Sequence, residues 1–224
     1  MIRQRTKDLL LTFLSPLFWL NYQRLQRRRR WPQPLCLHVG SGPNYWPGFM
    51  NIDMNPRRRL DLWLDVRQGL PFRNNSVEFI YAAEVFEHFY PEELNTLLAE
   101  CLRVLRPGAG LRLVVPDLEA GVAAYRARQL EWFAEWPQAY QSAGGRLANF
   151  LFCDAQHKNA FDFEFAREVL VSHGFCDVQK ADAGQTLHFD LLWQRLSMST
   201  RENASPRLLY VEALKPEGET TGKS

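Results

Sequence analysis

The sequence predicts an α/β fold with a mostly parallel sheet. Short apolar runs, several of them rich in β-branched residues, recur along the chain, and segments with the period of a helix lie between them. This alternation is typical of strands joined by helices that cover the faces of a parallel sheet. With 224 residues, the chain has room for one such domain with an added segment, and hardly enough for two independent cores.

Each element is predicted from a local pattern. A helix is expected over residues 92–105, where apolar side chains recur at i, i+3 and i+4, with Pro91 before it and the Arg-Pro-Gly of residues 106–108 after it. A second helix is expected over residues 161–173, and a short apolar run, 60–64, precedes Asp65. The other strands are predicted from apolar or alternating runs at 35–39, 49–53, 77–82, 111–115, 178–181 and 208–214.

The first 30 residues differ from the rest of the chain. They hold eight of the 27 basic residues and one of the 25 acidic ones, and they contain the apolar run 9–20. This run is too short to span a bilayer, and no small-residue cleavage site follows it. Two interpretations stay open: a helix that lies on an anionic membrane surface, or one that packs on the domain or a partner. We expect a domain over residues 31–216 and a disordered tail over residues 217–224.

Charge and cysteine content exclude several classes of function. The net charge of +2 comes from the basic head, so residues 31–224 are mildly acidic, and we expect no nucleic-acid partner. The four cysteines show no C-x-x-C spacing and lie in apolar stretches. We therefore expect buried free thiols, no disulfide framework and no metal site.

A Gly-rich turn and a series of acidic residues predict a ligand site. The first strand of the domain ends in Gly40-Ser41-Gly42, a turn that lets a ligand approach the backbone because no Cβ intervenes. Carboxylates follow at the ends of later strands, at Asp53, Asp65 and Glu84. Because ligands of open parallel sheets bind at the carboxyl ends of the strands, these residues are expected to line one site.

The glycine turn and the acidic residues belong to five blocks of sequence that resemble the class I S-adenosylmethionine-dependent methyltransferases with a type 11-like domain. Within this class the resemblance is strongest to a branch of small proteins often encoded near glycan-synthesis genes. The resemblance covers most of residues 35–216. Its most specific part is the turn from Glu84 to His88, which includes Glu87, in combination with the later motif R-V-L-R-P-G at residues 103–108. The residues that carry it are LHVGSGPNYWPGFMNIDMNP (37–56), LDVRQGLPFRNNSVEFIYAAEVFEHF (64–89), LLAECLRVLRPGAGLRLVVPDL (97–118), FDFEFAREVLVSHGF (161–175) and LLYVEALKP (208–216).

The resemblance implies a Rossmann-like class I methyltransferase fold, with a seven-stranded sheet whose last strand is antiparallel. It implies S-adenosylmethionine as cofactor, with Gly40 and Gly42 beside its methionine part and Ser41 in the same turn. It further implies Asp53 at the ribose, Asp65 with Val66 at the adenine, and Glu84 as a residue that lines the site.

One feature departs from the usual family pattern. Only about a dozen residues separate Gly40 from Asp53, where the family normally has a full helix. The segment PNYWPGF contains two prolines and a glycine, so a loop is expected in its place. Tyr45 or Trp46 is then expected to cover the methionine end of the cofactor.

Methyl transfer to a hydroxyl group requires a base. His157, His88 and Asp117 are the catalytic candidates, with Asp162 considered as a further base or as the cap of the helix that follows it. Residues 118–160 are longer than a connection requires and rich in aromatic side chains. They are interpreted as a helical lid that shapes the acceptor pocket, or as a helical pair that only packs on the domain.

The function expected from the resemblance and the basic head is O-methylation of a glycan, glycolipid or other cell-envelope intermediate, in the cytoplasm at the inner face of the membrane. Two alternatives stay open. One is a methyltransferase for a small soluble metabolite, and the other is a cofactor-binding scaffold without catalysis.

Overall fold

The computed structural model describes residues 4–27, 31 and 33–217, and it contains a seven-stranded sheet with the strand order β3-β2-β1-β4-β5-β7-β6. The strands up to β5 are paired in parallel, and β7 is antiparallel to both of its neighbours. The expected α/β fold with an antiparallel last strand is therefore confirmed. The strands are β1 Cys36–Val39, β2 Met50–Asp53, β3 Leu62–Trp63, β4 Val77–Ala83, β5 Leu105–Pro116, β6 Cys176–Ala181 and β7 Leu208–Leu214.

Seven α-helices flank the sheet in the described part of the chain. They are α1 Gln4–Gln26, α2 Pro91–Val104, α3 Leu118–Arg126, α4 Ala143–Phe152, α5 Phe163–Ser172, α6 Asp190–Arg195 and α7 Met198–Arg201. Three short 3-10 helices, Val66–Gln68, Phe86–His88 and Leu130–Trp132, complete the list.

Several predicted elements differ in their bounds, and in two of them the structure shows a local reason. The strand expected over residues 111–115 begins at Leu105, because the chain leaves α2 directly into the sheet and Leu105 pairs with Val77 before a shift in register. Helix α5 begins after Asp162, whose carboxylate accepts a hydrogen bond of 2.8 Å from the backbone NH of Phe165. Asp162 therefore caps the helix.

The connection from β1 to β2 contains no helix, as the two prolines and the glycine predict. Its Trp46 does not cover the cavity described below. The Trp46 ring stacks on His38 at 4.2 Å and lies 4.7 Å from Tyr81, on the opposite face of the sheet. Tyr45 donates to the Asp61 carboxylate at 2.8 Å and is likewise absent from the cavity wall. The expectation that either ring covers the methionine end was wrong.

Each face of the sheet has its own hydrophobic core. The larger core lies under α2 and α5 and includes Leu97, Leu98 and Leu170. The smaller one joins Phe79 and Tyr81 to Phe189, Trp193, Leu196 and Met198, which come from α6, α7 and the residues beside them. Three of the four cysteines are buried, whereas Cys176 is exposed, contrary to the expectation for it.

Helix α1 packs along one side on the domain. Phe18 is 2% exposed, its ring lies 4.9 Å from that of Trp63, and Asn21 donates to the Trp63 carbonyl oxygen at 2.6 Å. The other side of the helix is exposed and apolar, and carries Phe13, Leu17 and Leu20. Among the described residues, no helix is both long and apolar enough to cross a membrane. Arginines 28–30 and the expected tail from 218 onward lie outside the described residues.

A buried ion cluster joins the end of α7 to the sheet. Arg112 of β5 has no exposed side-chain surface, and it donates to Glu202 and Glu212 at 2.9 Å each. The guanidinium also lies over the Trp193 ring at 4.8 Å. Both acids are buried too, and Arg112 forms an ion pair with each of them.

Candidate active site

A cavity of about 480 Å³ opens at the carboxyl edge of the sheet. This volume lies within the range of small-molecule and cofactor pockets. The cavity has an apolar wall formed by Val39, Ile52, Leu64 and Val85. Six of the predicted site residues line it, namely Gly40, Asp53, Asp65, Val66, Glu84 and His88.

The strand order places the predicted acids in a row. From the edge of the sheet inward, Asp65 follows β3, Asp53 ends β2, Gly40 follows β1 and Glu84 follows β4. Four segments that are separated along the sequence thus meet along one edge. The cavity therefore has a β2–β3 side with Asp53 and Asp65, and a β4 side with Glu84 and His88.

The Gly-rich turn is held in a left-handed conformation. Gly40 and Gly42 have φ angles of +64° and +53°, which residues with a side chain rarely adopt. A Cβ on Gly40 would lie 2.3 Å from a methyl carbon of Val85. Gly40 lines the cavity, whereas Ser41 and Gly42 support the turn from behind: the Ser41 NH donates to the Ile52 carbonyl at 3.0 Å.

The Asp53 carboxylate is oriented by two backbone donors. Its Oδ2 accepts from the Gly42 NH at 2.8 Å, and its Oδ1 accepts from the Asn55 NH at 2.6 Å. A carboxylate offers about four lone-pair positions, so this arrangement leaves capacity for further donors in the cavity. Asp53 thus has a fixed orientation and remains able to accept hydrogen bonds.

Asp65 is engaged by the chain itself. It caps the 3-10 helix Val66–Gln68, and Arg67 binds its two oxygens through Nε and Nη2 at distances of 2.7 to 3.1 Å. The Asp65 side chain is buried, and the Arg67 guanidinium forms part of the cavity wall. On this side of the cavity, the carboxylate charge is therefore balanced by an arginine.

The turn after β4 places two more carboxylates near the cavity. Glu84 lies at its edge in a left-handed conformation, with a φ angle of +55°. Glu87 is 1% exposed, and neither carboxylate oxygen has a hydrogen-bond partner within the described structure. Burial raises the pKa of the Glu87 carboxyl to about 8, and the charge of Glu84 contributes to the increase.

His88 and His157 meet beside Glu87 although 68 residues separate them. Their ring centroids are 5.0 Å apart, and His88 Nε2 lies 3.9 Å from a Glu87 oxygen. His88 lines the cavity, and His157 lies behind it at the end of the segment 118–160. Burial and, to a lesser extent, the nearby His88 lower the pKa of His157 to about 4. His157 is therefore neutral at physiological pH.

Asp117 does not reach this cavity. Its carboxylate caps α3 by accepting from the Ala120 NH at 3.1 Å, and it lies 3.7 Å from the Lys180 ammonium. It lines a different cavity, together with Lys180 and Tyr210. The structure thus brings together two of the three catalytic candidates, His88 and His157.

Several residues of the cavity wall were not anticipated from the sequence. Glu93 belongs to α2, and Tyr90 directly precedes that helix. Gln156 and Lys158 flank His157 at the end of segment 118–160. Only Gln156 and Lys158 offered a signal in the sequence, because both are next to the candidate His157. The lining residues missed in this way are Arg67, Tyr90, Glu93, Gln156 and Lys158.

The segment 118–160 contains α3 and α4, which pack on each other. Its aromatic residues divide into two groups. Trp132, Phe133 and Phe150 pack together, with ring centroids 4.9 to 6.1 Å apart. Trp136 and Phe152 are more than half exposed. None of these five residues lines the cavity, which the segment reaches only through Gln156 and Lys158.

Comparison with known proteins gives one family match and many similar folds. Residues 54–113 match the model of a methyltransferase domain. No curated protein matches the chain in sequence. A S-adenosylmethionine-dependent methyltransferase from Archaeoglobus fulgidus is 14% identical over 93% of this chain and 94% of its own, with a TM-score of 0.51. Phosphoethanolamine N-methyltransferase 2 from Haemonchus contortus, in complex with S-adenosyl-L-methionine, is 13% identical over 88% of this chain and 52% of its own, with a TM-score of 0.48.

The matched residues and the fold define a class: residues 54–113 match a methyltransferase domain, and the sheet has the fold of the class I methyltransferases. The matched residues run from the end of β2 into β5, so they include the turn with Glu84, Glu87 and His88. The enzyme uses S-adenosylmethionine as its methyl donor, as the methyltransferase domain implies.

Proposed function

We propose that the protein transfers the methyl group of S-adenosylmethionine to a hydroxyl group of a glycan, glycolipid or other cell-envelope intermediate. The observation that carries this proposal is the cavity itself. It has an oriented carboxylate, Asp53, on its β2–β3 side and a histidine, His88, on its β4 side. The two sides correspond to what a cofactor and a hydroxyl acceptor each require.

The residues of the β2–β3 side fit the cofactor. Asp53 has lone pairs left for the two ribose hydroxyls, and Val66 with Leu64 offers an apolar surface for the adenine. Because Arg67 engages both oxygens of Asp65, this acid would shape the adenine side rather than bind it through a free carboxylate. The turn at residues 40–42 would hold the methionine part.

The β4 side fits the reaction. Bound S-adenosylmethionine supplies a methyl group on a positively charged sulfonium, which is ready for in-line displacement. The Glu84 side chain lies on the side of the cavity where this positive charge would be held. A hydroxyl acceptor must lose its proton as the new O–C bond forms. We expect this step to take place beside His88, which is in contact with His157.

Exposed aromatic residues support a glycan as the acceptor. Trp136 and Phe152 are 60% and 61% exposed, and Tyr140 between them is 45% exposed. Aromatic faces stack on the apolar faces of sugar rings, so these residues offer a surface for a larger acceptor outside the cavity. Segment 118–160 would then act as a lid for the acceptor rather than for the cofactor.

Helix α1 supports a membrane location for the acceptor. Its exposed side carries large apolar residues, and Arg24 and Arg27 lie at its carboxyl end. Three further arginines follow in the sequence. A helix with an apolar side and adjacent cationic residues binds anionic lipid surfaces without crossing them.

Calorimetry with S-adenosylmethionine and a transfer assay test this proposal. The wild-type protein is expected to bind the cofactor, and Asp53→Ala is expected to weaken binding at least about tenfold, because the two ribose hydrogen bonds are lost. Asp190→Ala, at an exposed position on α6, serves as the control. Absence of binding by the wild type would overturn the proposal.

Transfer from tritiated cofactor into membrane and soluble extracts identifies the acceptor class. Label in a base-stable ether of the glycan or glycolipid fraction is the expected result. Label confined to small soluble compounds would favour a metabolite methyltransferase instead. Binding without transfer to any fraction would favour a scaffold that has lost catalysis.

A further inference from the structure

We propose that Glu87, His88 and His157 bind a divalent transition-metal ion beside the cavity. One ligand atom from each residue can be chosen so that all three atoms lie within 4.8 Å of one another. Ligand atoms around a metal with bonds of about 2.1 Å are separated by roughly 3 to 3.5 Å, so the three side chains would have to rotate toward one another to complete the site. Metal binding itself does not depend on the acceptor, whereas the role of the ion in catalysis rests on the proposed hydroxyl chemistry.

Backbone carbonyl groups orient both imidazole rings for this role. His88 Nδ1 lies 3.2 Å from the carbonyl oxygen of Gln156, and His157 Nδ1 lies 3.1 Å from that of Leu151. A carbonyl oxygen only accepts, so Nδ1 carries the proton in each neutral ring and Nε2 carries the lone pair. Histidines that bind metals characteristically donate their other nitrogen to a carbonyl or carboxylate in this way.

The Glu87 carboxylate supplies the second observation. It is 1% exposed, and neither of its oxygens has a hydrogen-bond partner within the described structure. Burial of an unpaired polar group costs free energy, and burial of a charge costs more. A divalent ion would satisfy both oxygens and balance the nearby charge of Glu84.

The backbone holds the three residues in place. Glu87 and His88 lie in the 3-10 helix Phe86–His88, and the Glu87 carbonyl accepts hydrogen bonds from the NH groups of Lys158 and Asn159, at 2.7 and 3.2 Å. The Asn159 side chain adds a bond of 2.6 Å to the Phe89 carbonyl. These bonds fix the position of His157 relative to the other two residues.

The ligand set indicates the kind of metal. Two imidazole nitrogens and one carboxylate suit Mn²⁺, Fe²⁺, Co²⁺ or Zn²⁺, whereas Mg²⁺ and Ca²⁺ prefer oxygen ligands alone. Three protein ligands leave coordination positions open for water or substrate. Because His88 forms part of the cavity wall, the open positions would face the acceptor.

An ion at this place would act as a Lewis acid toward the acceptor hydroxyl. The hydroxyl oxygen would occupy an open position, and its proton would pass to solvent water. The oxygen would then form the bond to the methyl carbon as the carbon–sulfur bond breaks, which leaves S-adenosylhomocysteine. The ion would therefore make the acceptor more nucleophilic without changing its own oxidation state.

Titration of Co²⁺ into the full-length, untagged protein after removal of metals with EDTA tests the site. Visible absorption of bound Co²⁺ reports nitrogen and oxygen ligands, and calorimetry with Zn²⁺ gives the stoichiometry. About one ion per chain is expected. Glu87→Gln, His88→Ala and His157→Ala are each expected to weaken binding at least about tenfold, the loss that even an outer-shell change can cause.

Two controls separate this site from other ligands on the surface. His173→Gln removes a histidine whose Nδ1 also bonds a backbone carbonyl but which lies at the end of α5, and Cys176→Ser removes the exposed thiol. Both variants are expected to bind the ion like the wild type. Circular dichroism and the midpoint of chemical denaturation verify that the ligand variants are folded.

Absence of Co²⁺ and Zn²⁺ binding by the wild type would overturn the proposal, as would ligand variants that bind like the wild type. A protein that binds the ion but not S-adenosylmethionine would retain this site and lose the proposed function. A protein that binds S-adenosylmethionine but not the ion would retain the proposed function and contradict the metal site.

Discussion

At the scale of single residues, the site contains backbone positions with a left-handed conformation, which residues with a side chain rarely adopt. Gly40 lines the cavity with a φ angle of +64°, and a Cβ there would lie 2.3 Å from Val85. Glu84 adopts a similar backbone conformation although it has a side chain, with φ at +55°. Strained residues of this kind are concentrated at functional sites.

Gly40→Ala is expected to reduce affinity for S-adenosylmethionine at least about tenfold and to destabilise the fold by about 1 to 3 kcal/mol, because the left-handed backbone and the clash with Val85 both oppose it. Calorimetry and chemical denaturation measure the two effects. Gly144→Ala is the matched control, since a Cβ on Gly144 in α4 meets nothing within 4 Å. Unchanged affinity in Gly40→Ala would contradict a role for the turn.

The sequence was informative about single residues when a special backbone position or a strand end marked them. Gly40, Asp53 and Glu84 were predicted in this way and line the cavity. The ion pair between Asp65 and Arg67 was not predicted. In the sequence Arg67 resembles any other surface arginine, and only the 3-10 helix brings it to Asp65. Glu87 was predicted only as a residue of a turn. No sequence pattern predicts that a carboxylate will be buried without a hydrogen-bond partner.

At the scale of elements, helix α1 has two sides with different roles. Phe18 and Leu25 are buried on the domain, whereas Phe13, Leu17 and Leu20 are exposed. Of the two interpretations of this segment, packing on the domain is thus realised on one side. The other side stays available for the membrane surface that we propose.

Substitution of Phe13, Leu17 and Leu20 by serine in the full-length chain is expected to reduce flotation with phosphatidylglycerol vesicles at least about tenfold, since each large apolar side chain contributes roughly 1.5 to 3 kcal/mol when buried. Wild-type flotation is expected to be weaker with neutral phosphatidylcholine vesicles.

Leu187→Ser with Leu191→Ser is the matched control for this experiment, because both leucines are exposed but lie near α6. Phe18 is retained in all variants, so the helix remains packed. Equal flotation of the triple variant and the wild type would rule out α1 as the membrane contact.

Elements with a strong pattern were predicted well, and elements defined by tertiary context were not. Helix α2 has both apolar period and terminal signals, and it was predicted within a residue. Helices α6 and α7 were not predicted, because they have six and four residues and are too short to show a helical period. They are stabilised by the smaller core rather than by helix propensity.

At the scale of the whole molecule, the buried cluster of Arg112, Glu202 and Glu212 connects distant parts of the chain. It joins β5 to β7 and to the end of α7, next to the smaller core. The acids are separated from the arginine by 90 and 100 residues, so no local pattern predicts the pairing.

Arg112→Met is expected to destabilise the protein by about 3 to 5 kcal/mol, because it leaves two buried carboxylates without their cation. The midpoint of chemical denaturation at neutral pH measures the change. Arg167→Met, at an exposed position on α5, is expected to change stability by less than about 0.5 kcal/mol. A loss no larger than that of the control would show that the cluster is not required for stability.

The short connection from β1 to β2 also has a kinetic consequence. Leu37 pairs with Met50, so these two parallel strands meet after a much shorter loop than the pairing of Gly110 with Leu214 requires. Closure of a short loop costs less chain entropy, and contacts that are close in sequence form sooner. The glycine turn is therefore expected to take shape early in folding, before the carboxyl-terminal strand completes the sheet.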